Sequence, residues 1–119
     1  MGLVSVARCI QYWVDRTPDA PAVTDDLTTM SFSELDRITN RLARAYRALG
    51  VERGSYVTIA LPNGAEFICA ALATWKAGGI PNPISYRTPD AERQAMLTLV
   101  KPQLIVGCAA EDRDRKSVV

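Results

Sequence analysis

Apolar residues recur at Leu3, Val6, Ile10, Trp13 and Val14, and these spacings of three and four place them on one face of a helix ending near Thr17-Pro18. Two short β-prone pieces follow, "PAVTDD" and "LTTM", and Asp25-Asp26 supplies turn chemistry between them, so a hairpin is predicted. Ser31 and Glu34 then form an S-x-x-E capping box, in which each side chain satisfies a free backbone N–H of the first helical turn. Met30 and Leu35 stand where a hydrophobic staple would. The helix beyond repeats Leu35, Ile38, Leu42, Ala45 and Leu49 on one face. Arg37, Arg41, Arg44 and Arg47 fall mostly on the other side as a solvated face, and Gly50 predicts a left-handed stop.

After Gly54 the pattern changes. "YVTIAL" is nearly continuous in apolar and β-branched residues and predicts a strand buried on both faces. Asn63 is positioned to cap a helix from about Ala65 to Ala77, ended by Gly78-Gly79; "IPNPIS" reads as a short extended segment. A further helix opens at Thr88 with Pro89 in its first position, and "QLIVG" makes another buried strand after Lys101-Pro102. Strand, helix, strand, helix, strand implies an α/β fold: part of a mostly parallel sheet flanked by helices, preceded by a helix and a short hairpin. Only "AAEDRDRKSVV" loses periodicity and turns polar.

Composition narrows the picture mainly by exclusion. The chain has 119 residues, 48% apolar and 23% charged, with a net charge of +1, so it lacks the basic excess that would suggest a nucleic-acid partner. Cys9, Cys69 and Cys108 are odd in number and far apart, which supports neither a disulfide framework nor a zinc site. They read as buried or semi-buried thiols in a reducing cytoplasm. With no histidine, Ser-His and Cys-His nucleophile pairs and His-based metal sites are excluded within these residues. The longest apolar run, Phe67 to Trp75, is about half of what a bilayer crossing needs, and no secretory or myristoylation pattern opens the chain, so a cytoplasmic protein without a transmembrane segment is expected.

Candidate chemistry is sparse. The glycines spell neither G-x-G-x-x-G nor a P-loop, and Gly78-Gly79 follows a helix, which makes it a C-terminal stop and tight corner. Asp25-Asp26 and Lys101 are the residue types of a phosphorylation-receiver domain, but "YVTIAL" runs into Pro62-Asn63 where a receiver needs an aspartate, and the pair itself reads as a turn. Glu66 and Lys76 lack a partner at acid/base spacing and read as solvated; Trp13 and Trp75 read as core or subdomain-interface residues. No catalytic, cofactor-binding or metal-ligating residue is nominated.

Taken together, "PDAPAV", the run from "MSFSELDRITNRLA" through "LPNGAEF" to "WKAGGIPNPIS", and "KPQLIVG" closely resemble the N-terminal region of the adenylate-forming enzymes: acyl-CoA synthetases, luciferases and peptide-synthetase adenylation domains. The resemblance covers about residues 17 to 107. "MSFSELDRITNRLA" is similar to the family's first core motif, and "WKAGGIPNPIS" to its second, a turn leading from a helix into a strand of a parallel sheet. It implies a two-step reaction, in which a carboxylate and Mg-ATP give an acyl-adenylate and a thiol, usually coenzyme A, then displaces AMP. The family's phosphate loop, ribose-binding aspartate, hinge and C-terminal lysine would all lie beyond Val119, so neither ATP, magnesium nor coenzyme A is expected to bind here. "GGIPNPIS" with "PDAER" is closer in wording to bacterial acyl-CoA synthetases than to amino-acid adenylation domains, which implies a carboxylic acid substrate of unspecified kind.

The tail carries a separate expectation. "DRKSVV" and a stop can be spelled GAT CGG AAG AGC GTC GTG TAG, a sequencing adapter. Residues 1–113 are therefore read as an incomplete N-terminal part of an AMP-binding domain, inactive alone, and residues 114–119 as adapter-derived. The alternative from another class is a free-standing α/β interaction module.

Overall fold

The computed structural model describes residues 5–107 and the backbone of 117–118. Helix α1 (Val6–Arg16) is followed by the hairpin β1 (Pro21–Thr24) and β2 (Thr29–Ser31), which pairs antiparallel, and by helix α2 (Phe32–Ala48). The chain then alternates β3 (Tyr56–Ile59), α3 (Ala65–Lys76), β4 (Ile80–Pro83), α4 (Asp90–Val100) and β5 (Leu104–Val106). Strands β4, β3 and β5 form a parallel sheet with β3 in the middle. The short β6 (Ser117–Val118) lies parallel beside β5; the rest of the polar tail, with Cys108, falls outside the described residues, as does Leu3.

The predicted capping box forms at the start of α2. The Ser31 hydroxyl accepts from the Glu34 N–H at 3.1 Å, and Glu34 accepts from the Ser31 N–H at 3.4 Å. Met30 and Leu35, the staple pair, are both buried in one apolar cluster with Ala65, Cys69 and Leu72. The α2 face differs from its sequence reading: Leu35, Thr39, Ala43 and Tyr46 are buried, whereas Ala45 and Leu49 are exposed. A seven-residue repeat drifts by ~20° per heptad on a straight 3.6-residue helix, so the buried stripe leaves the Leu35–Ile38–Leu42 row by the second heptad. Thr39 enters the core because its hydroxyl donates to the Leu35 carbonyl at 2.7 Å, leaving the methyl free to pack.

Central strand β3 places Val57, Thr58 and Ile59 with no exposed surface, and Leu104 beside them is equally dry. Each fully buried aliphatic side chain of this kind contributes roughly 1.5–3 kcal/mol. Against this layer α2 and α3 meet through Ala43, Ala70, Ala73 and Ala77, small residues that let the helices approach closely. Gly78 ends α3 at φ +92° and turns the chain. At Gly79 a Cβ would lie 3.0 Å from the Ser55 carbonyl oxygen and 3.1 Å from both Thr74 and Val51, so a side chain here would crowd the corner from which β4 leaves.

Among the described residues β4 lies at the edge of the sheet, and its prolines face the side away from β3. The Ile80 N–H donates to Ser55 and the Ile84 N–H to Ile59, so the even-numbered residues face β3 and Pro81 and Pro83 face outward. Neither proline has an N–H, and the free side of β4 offers no donors from them to a foreign strand. At α4 the helix begins at Asp90, one residue later than expected. Pro89 is the extended cap residue and no side chain caps the helix; the Thr88 carbonyl accepts from Arg93 Nη1 at 3.1 Å.

Candidate functional site

In an open parallel sheet the carboxyl ends of the strands are where ligands sit, because the connecting loops diverge there. Here the loops after β3 and β4 border a cavity of about 350 Å³ lined by Leu61, Asn63, Phe67, Ile84, Ser85 and Tyr86. Its polar groups are an amide, a hydroxyl and a phenol. The Ser85 hydroxyl already accepts from the Arg87 N–H at 3.2 Å, and the Tyr86 oxygen from Arg87 Nε at 3.0 Å. Such a lining can hold a ring or a neutral polar group, but it brings no carboxylate pair and no lysine to a reacting atom. Among the described residues no group of three or more acids and cysteines could hold a metal ion.

Asn63 lines this cavity and does not cap α3; the cap position is Gly64, which has no side chain to offer. The first N–H of the helix, on Ala65, donates instead to Asp25 Oδ2 at 2.9 Å, across 40 positions of sequence. Asp25 Oδ1 also accepts from the Leu27 and Thr28 N–H groups, both at 2.9 Å, closing the hairpin turn. The expected turn is there, with a second task added: one carboxylate ties the hairpin to the start of α3. The Ala65 N–H first, then those of Leu27 and Thr28, hold the Asp25 carboxyl below its ordinary range. Lys101, the other half of the receiver-like pattern, is the left-handed C-cap of α4.

Lys76 is not the solvated side chain expected from sequence. Its Nζ is 2.8 Å from Asp36 Oδ1 and donates to Thr39 Oγ1 at 2.8 Å and Asn40 Oδ1 at 2.9 Å. The side chains of Lys76 and Asp36 are 11% and 19% exposed. Arg47 reaches from α2 to the last carbonyl of α3, donating from Nη2 to the Lys76 oxygen at 2.7 Å. These contacts bolt the two helices together and serve packing. Glu66 is exposed, as expected.

The aromatic and thiol readings divide. Trp13 and Trp75 are each about half exposed, so neither is a core residue; Trp13 stacks on Phe32 with centroids 6.2 Å apart. Cys9 is exposed, contrary to expectation, whereas Cys69 is buried. Cys69 lies in an apolar groove of about 440 Å³ between the hairpin, α2 and α3, with Met30, Ile38, Leu42 and Tyr46. Burial, then Glu66, pushes the Cys69 thiol up, and burial, then Cys69, pushes Tyr46 to about 12, so both stay neutral. Neither is an activated nucleophile.

The α/β layering and the helix–glycine–strand corner define an open parallel-sheet subdomain. The family model described as "AMP-binding enzyme" matches residues 10–119, and the chain belongs to that family. It is 33% identical over 92 residues to malpibaldin synthetase of Mortierella alpina, covering 77% of this chain and 2% of that protein. Its fold matches a Rhodopseudomonas palustris protein assigned as a long-chain-fatty-acid CoA ligase, with TM-score 0.83 and 25% identity, over 93% of this chain and 28% of that one. It also matches the Klebsiella oxytoca NpsA N-terminal subdomain, solved with 3-hydroxyanthranilyl-AMSN, with TM-score 0.84 and 20% identity, over 98% of this chain and 29% of that one. The chain spans between 1% and 15% of the length of the curated relatives compared, many of them peptide synthetases. No helix among the described residues is long and apolar enough to cross a membrane.

Proposed function

We propose that this chain is the N-terminal part of a cytoplasmic enzyme that activates a carboxylic acid with ATP and passes the acyl group to a thiol. In the first step a carboxylate oxygen attacks the α-phosphorus of Mg-ATP, forming the acyl-adenylate and expelling pyrophosphate. In the second the thiol sulfur attacks the acyl carbon, forming the thioester and expelling AMP, while the thiol proton passes to solvent. The observation that carries the reading is the family match over residues 10–119, and the run "WKAGGIPNPIS", on which the resemblance also rests, forms the α3–β4 corner. Developing charge on the phosphates requires a donor loop, a metal-binding acid and a lysine. We place these outside the chain, and assign it no catalytic, cofactor-binding or metal residue.

Coenzyme A is the acceptor we favour, supported by the wording of "GGIPNPIS" and the likeness to the R. palustris protein. The peptide-synthetase relatives support a second reading, in which the acceptor is the thiol of a carrier protein. Incubating the complete gene product with ATP, an acid panel and either free coenzyme A or a loaded carrier domain separates them: a soluble acyl thioester supports the first, carrier acylation alone the second. Resequencing the locus through codon 113 tests whether residues 1–113 are an incomplete domain and 114–119 adapter-derived. A frame continuing into a Ser/Thr/Gly-rich loop ending in Pro-Lys supports that reading; a genuine stop after Val119 favours the interaction module.

A further inference from the structure

A cleft of about 500 Å³ lies between α1 and α2, lined by Arg8 and Gln11 from α1, by Asp36, Arg44 and Arg47 from α2, and by Lys76 from α3. Lys76 at the end of α3 lies next to the corner that starts β4, so the cleft is at the opposite end of α3 from the cavity bordered by Asn63. Its charge is unbalanced, with four cations facing one carboxylate, in a chain whose net charge is only +1. That carboxylate is spoken for. Asp36 is paired with Lys76, whose remaining contacts go to Thr39 and Asn40, so the pair is close to neutral and leaves three guanidinium groups to set the field. Among the described residues the side chains of Arg8 and Arg44 are exposed and make no hydrogen bond or ion pair, whereas Arg47 is anchored by Nη2 on the Lys76 carbonyl. Arg37 and Arg41, on the same helix, do not line it.

We infer that this cleft binds a small molecule through two or more adjacent phosphate groups. Guanidinium forks match phosphate oxygens bidentately, which a single surface arginine cannot exploit but three around one cleft can. The volume falls in the range of small-molecule sites, and the cleft carries no aromatic ring on which a nucleic-acid base would stack. The inference is independent of the carboxylate-activating function, since it rests on α1 and α2 and on no step of that reaction.

The test titrates the 119-residue chain with inorganic pyrophosphate, orthophosphate and ADP by calorimetry, in parallel with R8A/R44A and R37A/R41A. The two double variants remove the same charge from exposed positions, and circular dichroism checks that each is folded. Saturable one-to-one pyrophosphate binding is expected, weakened about tenfold or more in R8A/R44A and by less than about twofold in R37A/R41A. Equal affinity for ADP and pyrophosphate shows that only the diphosphate is read; tighter ADP binding shows that a nucleotide is the source. Equal weakening in both variants, no saturation, or binding of a polyglutamate peptide in place of pyrophosphate overturns the inference.

Discussion

Replacing Asp36 with alanine should be the most costly single change among the contacts between α2 and α3. It leaves the Lys76 ammonium 11% exposed, with only the Thr39 hydroxyl, the Asn40 amide oxygen and the Asp36 backbone carbonyl as acceptors. Stranding one member of a buried ion pair costs about 3–5 kcal/mol, and the remaining acceptors place this case near ~3 kcal/mol. The reverse change, Lys76→Met, keeps the apolar stem and leaves a carboxylate that is 19% exposed and can turn to water, so a smaller loss of about 1–2 kcal/mol is expected. In the double variant no charge is stranded, and its cost should fall short of the sum by about 2 kcal/mol. Urea unfolding followed by tryptophan fluorescence, to which Trp13 and Trp75 both contribute, reads all four corners of the cycle. With a slope of about 1.5 kcal/mol/M, D36A should lower the midpoint by roughly 2 M. Additive single and double variants, or a D36A loss below about 1 kcal/mol, would refute the reasoning.

Other consequences are open to the same measurements. Because folding depresses the Asp25 carboxyl, its contribution is present above the ordinary value of 3.8 and is lost as pH falls through the folded value; the stability gap between wild type and D25N should be flat from neutral pH to about 5 and close below about 4. Gly79→Ala should cost about 1–3 kcal/mol by crowding Ser55, Thr74 and Val51, whereas Gly54→Ala, with φ +87° but open space around it, should cost only about 1 kcal/mol, and thermal melts that rank them the other way would contradict the corner geometry. Ser31→Ala should cost about 1 kcal/mol through loss of the capping box, with Glu34→Ala nearly additive to nothing further at the shared site.

What could be read from sequence was local. The capping box at Ser31 and Glu34, the stop at Gly78 and the buried β3 run each depend on residues within a few positions of one another, so spacing alone exposes them. The contacts it hid span the chain: Asp25 to Ala65 and Asp36 to Lys76 are each 40 positions apart, and nothing in the neighbourhood of either residue announces its partner. Thr39 was invisible for a different reason. A threonine counts as polar in any pattern until its hydroxyl is seen to be satisfied by the preceding turn. The cleft beside Arg44 and Arg47 follows from α1 lying against α2, which turns part of an apparently solvated arginine face into a lined cavity. No spacing rule says which helices touch.

The central claim, that this chain contributes scaffold to a carboxylate-activating enzyme whose reacting groups lie elsewhere, is tested most directly by ATP–pyrophosphate exchange. Labelled pyrophosphate should enter ATP in an acid-dependent manner with the complete gene product and not with the 119-residue chain alone. Exchange catalysed by the 119 residues alone, or a complete product that exchanges none across a broad acid panel, would contradict it.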